Sequence, residues 1–99
     1  MKLDQIKKFT PQLHQIASQY GIVSIAVFGS VARGESTASS DVDFLVDMQE
    51  GASLFGVGGF IYDVSKLLGV SVDAVPRSTL ASIRDQDFAH RIQEESVTL

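Results

Sequence analysis

The sequence has no cysteine and no tryptophan, and it contains only two prolines. Without cysteine, the chain cannot form disulfides, hold zinc through thiolates or use a cysteine nucleophile. No window approaches the roughly 18 consecutive apolar residues that a membrane-spanning helix needs. Residues 1–5 also lack the uninterrupted apolar region of a secretory signal. These absences predict a cytoplasmic protein that has no membrane partner.

Basic residues are scarce as well. Lys and Arg number 8 against 12 Asp and Glu, which leaves a net charge of -4 at pH 7. Proteins that grip nucleic acid contact its phosphates with Lys and Arg, so an acidic chain without a basic stretch argues against direct nucleic-acid binding. The surplus of carboxylates suits a protein that collects divalent cations. The length of 99 residues predicts a single domain over residues 1–99, with one hydrophobic core.

Hydrophobic periodicity predicts helices and strands that alternate along the chain. Apolar residues at spacings of three and four favour a helical lead-in up to residue 9 and a helix over residues 11–20. Segments that are apolar or alternating predict strands over residues 22–28, 41–47 and 70–75. The intervening residues 29–40 are typical of a loop that can hold one helical turn. The tail is less regular, with one or two short helices and an edge strand over residues 96–99.

The segment over residues 51–59 has four glycines in nine residues. Gly56, Gly58 and Gly59 lie just before the predicted helix, and each glycine inside a helix costs about 0.5–1 kcal/mol relative to Ala. We therefore expect a helix over residues 60–68, preceded by a segment that a partner or nucleotide orders. A long surface loop is the alternative interpretation.

Two aspartates open the second predicted strand. Asp41 and Asp43 are two positions apart, so their side chains share a face, with Cβ atoms roughly 6–7 Å apart. Such carboxylates can hold two divalent cations about 3.5–4 Å apart, which activate an attacking oxygen and stabilise a leaving phosphate. Mg²⁺ is the natural candidate because it prefers carboxylate oxygens and substrate phosphates. Asp73, on the third predicted strand, supplies a third carboxylate, which we expect to activate the acceptor.

Small residues and one arginine follow the first predicted strand. Gly29 has no Cβ, so the backbone there can approach a phosphate closely. Ser30 can donate its N–H and its hydroxyl to a triphosphate oxygen, and Arg33 can add a charge-assisted contact. Taken singly, each feature is more simply a turn, a solvated face or a surface cation. The combined order of apolar strand, Gly-Ser, Asp-X-Asp and a further strand aspartate favours a nucleotide site.

Two segments resemble the signature of the DNA polymerase β-type nucleotidyltransferase superfamily. They are residues 28–35, Phe-Gly-Ser-Val-Ala-Arg-Gly-Glu, and residues 40–46, Ser-Asp-Val-Asp-Phe-Leu-Val. The chain is most similar to the minimal nucleotidyltransferases, antitoxins that are paired with HEPN toxins, and the likeness covers roughly residues 20–99. It implies an α+β fold, a short mixed sheet packed with helices, that carries the catalytic aspartates on adjacent strands. Arg33 matches an arginine of that family.

The resemblance also implies site roles and an activity. Asp41 and Asp43 would bind both Mg²⁺ ions, Asp73 would bind the catalytic one, and Gly29 and Ser30 would hold the triphosphate. The implied reaction transfers AMP from ATP to a tyrosine hydroxyl of a HEPN-type RNase toxin, which silences that RNase. Two alternatives stay open: an antitoxin that neutralises its toxin by binding alone, and a small-molecule nucleotidyltransferase.

The charged residues outside this pattern have plainer interpretations. Arg77 is predicted to be a free surface cation, and Glu94 with Glu95 most simply forms a solvated turn. His90 stands alone in the tail, with no partner at metal-ligand spacing. None of these residues is expected to take part in the site.

Overall fold

Helices and four short strands alternate through the chain, and the computed structural model describes all residues, 1–99. The helices are α1 (Leu3–Lys7), α2 (Thr10–Gln19), α3 (Gly29–Ala32), α4 (Phe55–Leu68) and α5 (Gln86–Glu95), with a 3-10 helix over Arg77–Ser82. The strands are β1 (Ile22–Phe28), β2 (Val42–Met48), β3 (Val72–Pro76) and β4 (Val97–Thr98). None of the helices combines the length and the apolar character that a membrane crossing requires.

The strands form one mixed sheet in the order β3-β2-β1-β4. β1 is antiparallel to both β2 and β4, whereas β2 and β3 are parallel. Parallel neighbours need a crossover connection, and α4 provides it between β2 and β3. A mixed sheet packed with helices confirms the predicted α+β fold.

The two faces of the sheet are covered unequally. Along β2, Val42, Phe44 and Val46 enter the main core beneath α2 and α4, whereas Leu45 points to the other face. That second face carries a small cluster beneath α5 and the 3-10 helix: Ala26, Leu45, Leu80, Ala89 and Ile92. Asp43 shares the face of Leu45 by strand alternation, so it lies on the thinly covered side of the sheet, next to α5.

Most predicted elements are confirmed to within two residues. The strand over residues 22–28 is reproduced in full, the one helical turn after it is α3, and the tail holds the 3-10 helix, α5 and β4. The prediction that the helix after β2 begins at Phe60 is wrong, because α4 begins at Phe55. Tyr20 packs against this early turn, since a Cβ at Gly56 would stand 2.5 Å from its carbonyl oxygen and one at Gly59 would overlap its ring.

Candidate active site

The three predicted aspartates lie at the same end of the sheet. In the parallel pairing of β2 with β3, Asp43 stands directly opposite Asp73, and neighbouring strands are about 4.8 Å apart. Asp41 immediately precedes β2, where the N–H of Val42 donates to the carbonyl of Ser71 at 3.0 Å and ties the strand starts together. Strand register therefore gathers carboxylates that lie 30 residues apart in sequence, from Asp43 to Asp73.

These carboxylates repel one another. Burial is the largest cause that raises the pKa of the Asp43 carboxyl above its ordinary value. The negative charges of Asp73 and Asp41 raise this pKa further, and the Arg33 guanidinium opposes them. A half-buried carboxylate held beside two others is stabilised by a cation, so the electrostatics of this end of the sheet suit a divalent metal ion.

The site is not a closed metal cage. No three His, Cys, Asp or Glu side chains converge closely enough to hold an ion. Asp41 and Asp73 are exposed, and one oxygen of Asp73 accepts the N–H of Ala74 at 2.9 Å. Mg²⁺ is usually held by one or two carboxylates together with substrate phosphates and waters, not by an all-protein cage. The donor set therefore fits an ion whose coordination a bound nucleotide completes.

Gly29 brings the backbone after β1 against Asp43. Phe28 pairs with Asp43 across β1 and β2, and the chain then turns into α3 with Gly29 at φ +75°. A Cβ at this position would stand 2.6 Å from Oδ2 of Asp43. Both the left-handed conformation and the close approach thus require glycine here, and Ser30 begins the turn beside it.

The structure also places a glutamate at this end of the sheet. Oε1 of Glu95, the last residue of α5, accepts the backbone N–H of Gly29 at 3.2 Å and Nη1 of Arg33 at 3.0 Å. The Nε of Arg33 donates to Glu35 at 3.0 Å. Arg33 is therefore near the predicted nucleotide residues, but its hydrogen bonds go to carboxylates of this chain.

Two sequence predictions about charged residues are wrong. Glu94 and Glu95 belong to α5 and not to a solvated turn, and Glu95 lies three positions after the buried Ile92. That spacing places it on the inward face of α5, a signal that helical periodicity in the tail would have given. Arg77 is not a free cation, because its Nε donates to Oδ1 of Asp47 at 3.0 Å and so ties the 3-10 helix to β2.

Comparison with known proteins identifies the family. The sequence model of the nucleotidyltransferase domain matches residues 3–98. The chain belongs to this nucleotidyltransferase family. It is 37% identical over 83 residues to the protein adenylyltransferase MntA of Thermococcus cleftensis, a match that spans 83% of this chain and 84% of the relative. The predicted resemblance is confirmed, and the protein is a nucleotidyltransferase enzyme.

Solved structures of nucleotidyltransferases share the fold. A protein assigned to the minimal nucleotidyltransferases superposes with a TM-score of 0.80 at 30% identity, over 100% of this chain and 97% of the other. A toxin–antitoxin crystallised with AMP-PNP gives a TM-score of 0.68 at 17% identity, over 89% of this chain and 69% of that one. Membership of the nucleotidyltransferase family supports a nucleotide substrate for this enzyme.

Proposed function

We propose that this nucleotidyltransferase is a Mg²⁺-dependent protein adenylyltransferase that acts as an antitoxin. It transfers AMP from ATP to a tyrosine hydroxyl of a HEPN-type RNase toxin and so neutralises that toxin. The observation that carries the proposal is the register of β2 and β3, which sets Asp43 opposite Asp73, with Gly29 pressed against Asp43. The sequence likeness to MntA, a protein adenylyltransferase, supports transfer to a protein. The fold shared with a toxin–antitoxin complex supports a toxin partner.

The metal ions would be held by the aspartates at the strand starts. Asp41 and Asp43 would hold both Mg²⁺ ions, and Asp73 would join them on the catalytic ion. When bound, Mg²⁺ offsets the charge on the triphosphate and makes the acceptor hydroxyl more acidic. Burial raises the pKa of Asp43 and repulsion from Asp73 and Asp41 raises it further, and a bound cation would offset both effects.

The remaining residues orient the reactants. The N–H of Gly29 and the N–H and hydroxyl of Ser30 would donate to triphosphate oxygens, and the Arg33 guanidinium would add a charge-assisted contact to the same phosphates. Asp73 is exposed, and one of its carboxylate oxygens accepts the N–H of Ala74, so the carboxylate is accessible to an acceptor side chain. The tyrosine oxygen bonds to the α-phosphorus of ATP, the bond from that phosphorus to the bridging oxygen breaks, pyrophosphate leaves, and the hydroxyl proton passes toward Asp73.

Intact mass measurement tests this reaction. The chain is incubated with Mg²⁺, ATP and the HEPN-type RNase proposed as its partner. We expect the toxin to gain mass in steps of one AMP, and the gain to disappear when the metal is chelated. Asp41→Asn should slow transfer by at least about 100-fold, because it removes a metal ligand while changing little volume.

The matched control is Glu50→Gln. Glu50 is exposed beyond the far end of β2, so the same carboxylate-to-amide change there should leave the transfer rate unaltered. An unmodified toxin with the wild-type protein, or transfer at the wild-type rate by Asp41→Asn, would refute the proposal. Mapping the added mass to a residue other than tyrosine would refute its acceptor.

A further inference from the structure

The carboxylate of Glu95 holds two groups that the proposed function assigns to the nucleotide. Its Oε1 atom accepts the N–H of Gly29 at 3.2 Å and Nη1 of Arg33 at 3.0 Å, and Oε2 lies 3.3 Å from the same Nη1. The two partners are 66 and 62 positions away in sequence, so the contact is tertiary and not a local turn. One internal anion thus occupies the donors proposed for a phosphate.

A carboxylate and a phosphate compete for such donors. The N–H of Gly29 has a single hydrogen, so it cannot make a full hydrogen bond to Glu95 and to a triphosphate oxygen at once. A bound triphosphate would also add negative charge beside Glu95 and the three aspartates. The carboxylate must therefore leave Gly29 before the nucleotide takes its place.

The position of Glu95 allows it to leave without unfolding α5. The helix is fixed by Ala89 and Ile92, which are buried one to two turns earlier, whereas the side chain of Glu95 keeps 24% of its surface exposed. Arg91 stands one helical turn before Glu95 and lines the same shallow cleft, together with Arg33. A displaced carboxylate can therefore pair with Arg91 at a spacing of four residues.

We propose that the Glu95 carboxylate competes with the nucleotide phosphates for the N–H donors of Gly29 and Arg33. It occupies these donors until the nucleotide displaces it. The inference rests on the proposed nucleotide site at these residues. Under this proposal, α5 lowers the affinity for the nucleotide through Glu95, whereas the aspartates hold the metal. A purely positioning role for Glu95 predicts the opposite effect, since loss of the carboxylate would then weaken nucleotide binding.

Calorimetric binding of Mg²⁺ with α,β-methylene-ATP, an analogue whose α–β bridge is not cleaved, separates these roles. Glu95→Gln should bind the analogue about three- to tenfold more tightly than the wild type, because the amide oxygen is an uncharged and weaker acceptor for Gly29 and Arg33. Glu94→Gln is the matched control. It removes the same charge from the adjacent residue, whose exposed carboxylate pairs with His90 at 2.9 Å, and should change the affinity less than about twofold.

A second measurement uses the wild-type protein alone. With the side-chain carboxyl carbons of glutamate labelled, the NMR resonance of Glu95 should shift when the Mg²⁺-bound analogue saturates the protein, and that of Glu94 should not. Unchanged or weaker binding by Glu95→Gln, an equal gain by Glu94→Gln, or a static Glu95 resonance overturns the inference while the proposed function stands. Absence of analogue binding by all three proteins would refute both.

Discussion

Gly29 sets how closely the loop after β1 approaches the aspartates. Two separate constraints act on it: a left-handed backbone, with φ +75°, and a side-chain direction that points at Oδ2 of Asp43. Gly34 shares the first constraint, with φ +76°, but a Cβ there would meet nothing within 4 Å. Gly34 is therefore a control for the close approach to Asp43, because it shares only the left-handed backbone.

We expect Gly29→Ala and Gly34→Ala each to lose about 1–2 kcal/mol of unfolding free energy, because alanine is disfavoured in the left-handed region. Only Gly29→Ala should also displace the Asp43 carboxylate, lose further stability and abolish AMP transfer. Urea unfolding and the transfer rate measure the two effects separately. Equal transfer rates for the two variants would contradict the placement of Gly29 against the reacting groups.

Asp43 lies between Asp41 and Asp73, where burial and the charges of its two neighbours disfavour its ionised form. Its pKa in the folded chain is raised by burial and by its neighbours Asp73 and Asp41. When the pKa of a carboxyl is higher in the folded than in the unfolded chain, the free energy of unfolding falls as pH rises through the unfolded and then the folded pKa. The loss persists at pH 7. Replacing this aspartate by asparagine should therefore keep or increase the stability of the fold.

The sequence reveals these residues unevenly. Gly29, Ser30, Asp41 and Asp43 flank neighbouring strands, so local pattern is enough to propose them. Glu95 is joined to them only by the packing of α5 on the sheet. No local sequence pattern predicts the contact of Glu95 with Gly29 and Arg33. Only the three-residue spacing between Ile92 and Glu95 indicates which face of α5 Glu95 occupies.

At the scale of elements, α4 differs most from the sequence prediction. Glycines lower helix propensity, and that rule placed the helix start at Phe60. Tertiary packing overrides it, because Gly56 and Gly59 lie one turn apart and leave space for Tyr20. The Tyr20 hydroxyl then donates to Oδ2 of Asp63 at 2.6 Å, one turn beyond Gly59, and fixes α2 to α4.

The strands, in contrast, could be predicted from the sequence, because burial in the core requires the apolar patterns that indicate them.

Neighbouring glycines of α4 should respond in opposite directions to alanine. Gly58→Ala should gain about 0.5–1 kcal/mol of unfolding free energy, because a Cβ there meets nothing within 4 Å and helix propensity improves. Gly59→Ala should lose at least about 1 kcal/mol, since its Cβ would overlap the Tyr20 ring and overpacking outweighs propensity. Thermal melts of both variants decide the matter. A gain for Gly59→Ala would show that Tyr20 does not pack on the helix.

At the scale of the whole molecule, the thin cover on one face of the sheet has a functional consequence. Only α5 and the 3-10 helix pack on the face that bears Asp43, through a cluster of five buried residues, against fifteen in the main core. Asp41 and Asp73 consequently remain exposed at the end of the sheet. An acceptor side chain carried by a partner protein can reach this end directly, as protein adenylylation requires.

We propose that neutralisation of the toxin depends on chemistry at these aspartates. Growth of cells that produce the toxin tests it most directly, with wild-type protein, Asp43→Asn or Glu50→Gln supplied alongside. Asp43→Asn should melt at or above the wild-type temperature and still co-purify with the toxin, so a loss of rescue reports lost chemistry and not lost folding. We predict that wild type and Glu50→Gln restore growth and that Asp43→Asn does not. Full rescue by Asp43→Asn would refute this proposal, because it would show that binding alone neutralises the toxin.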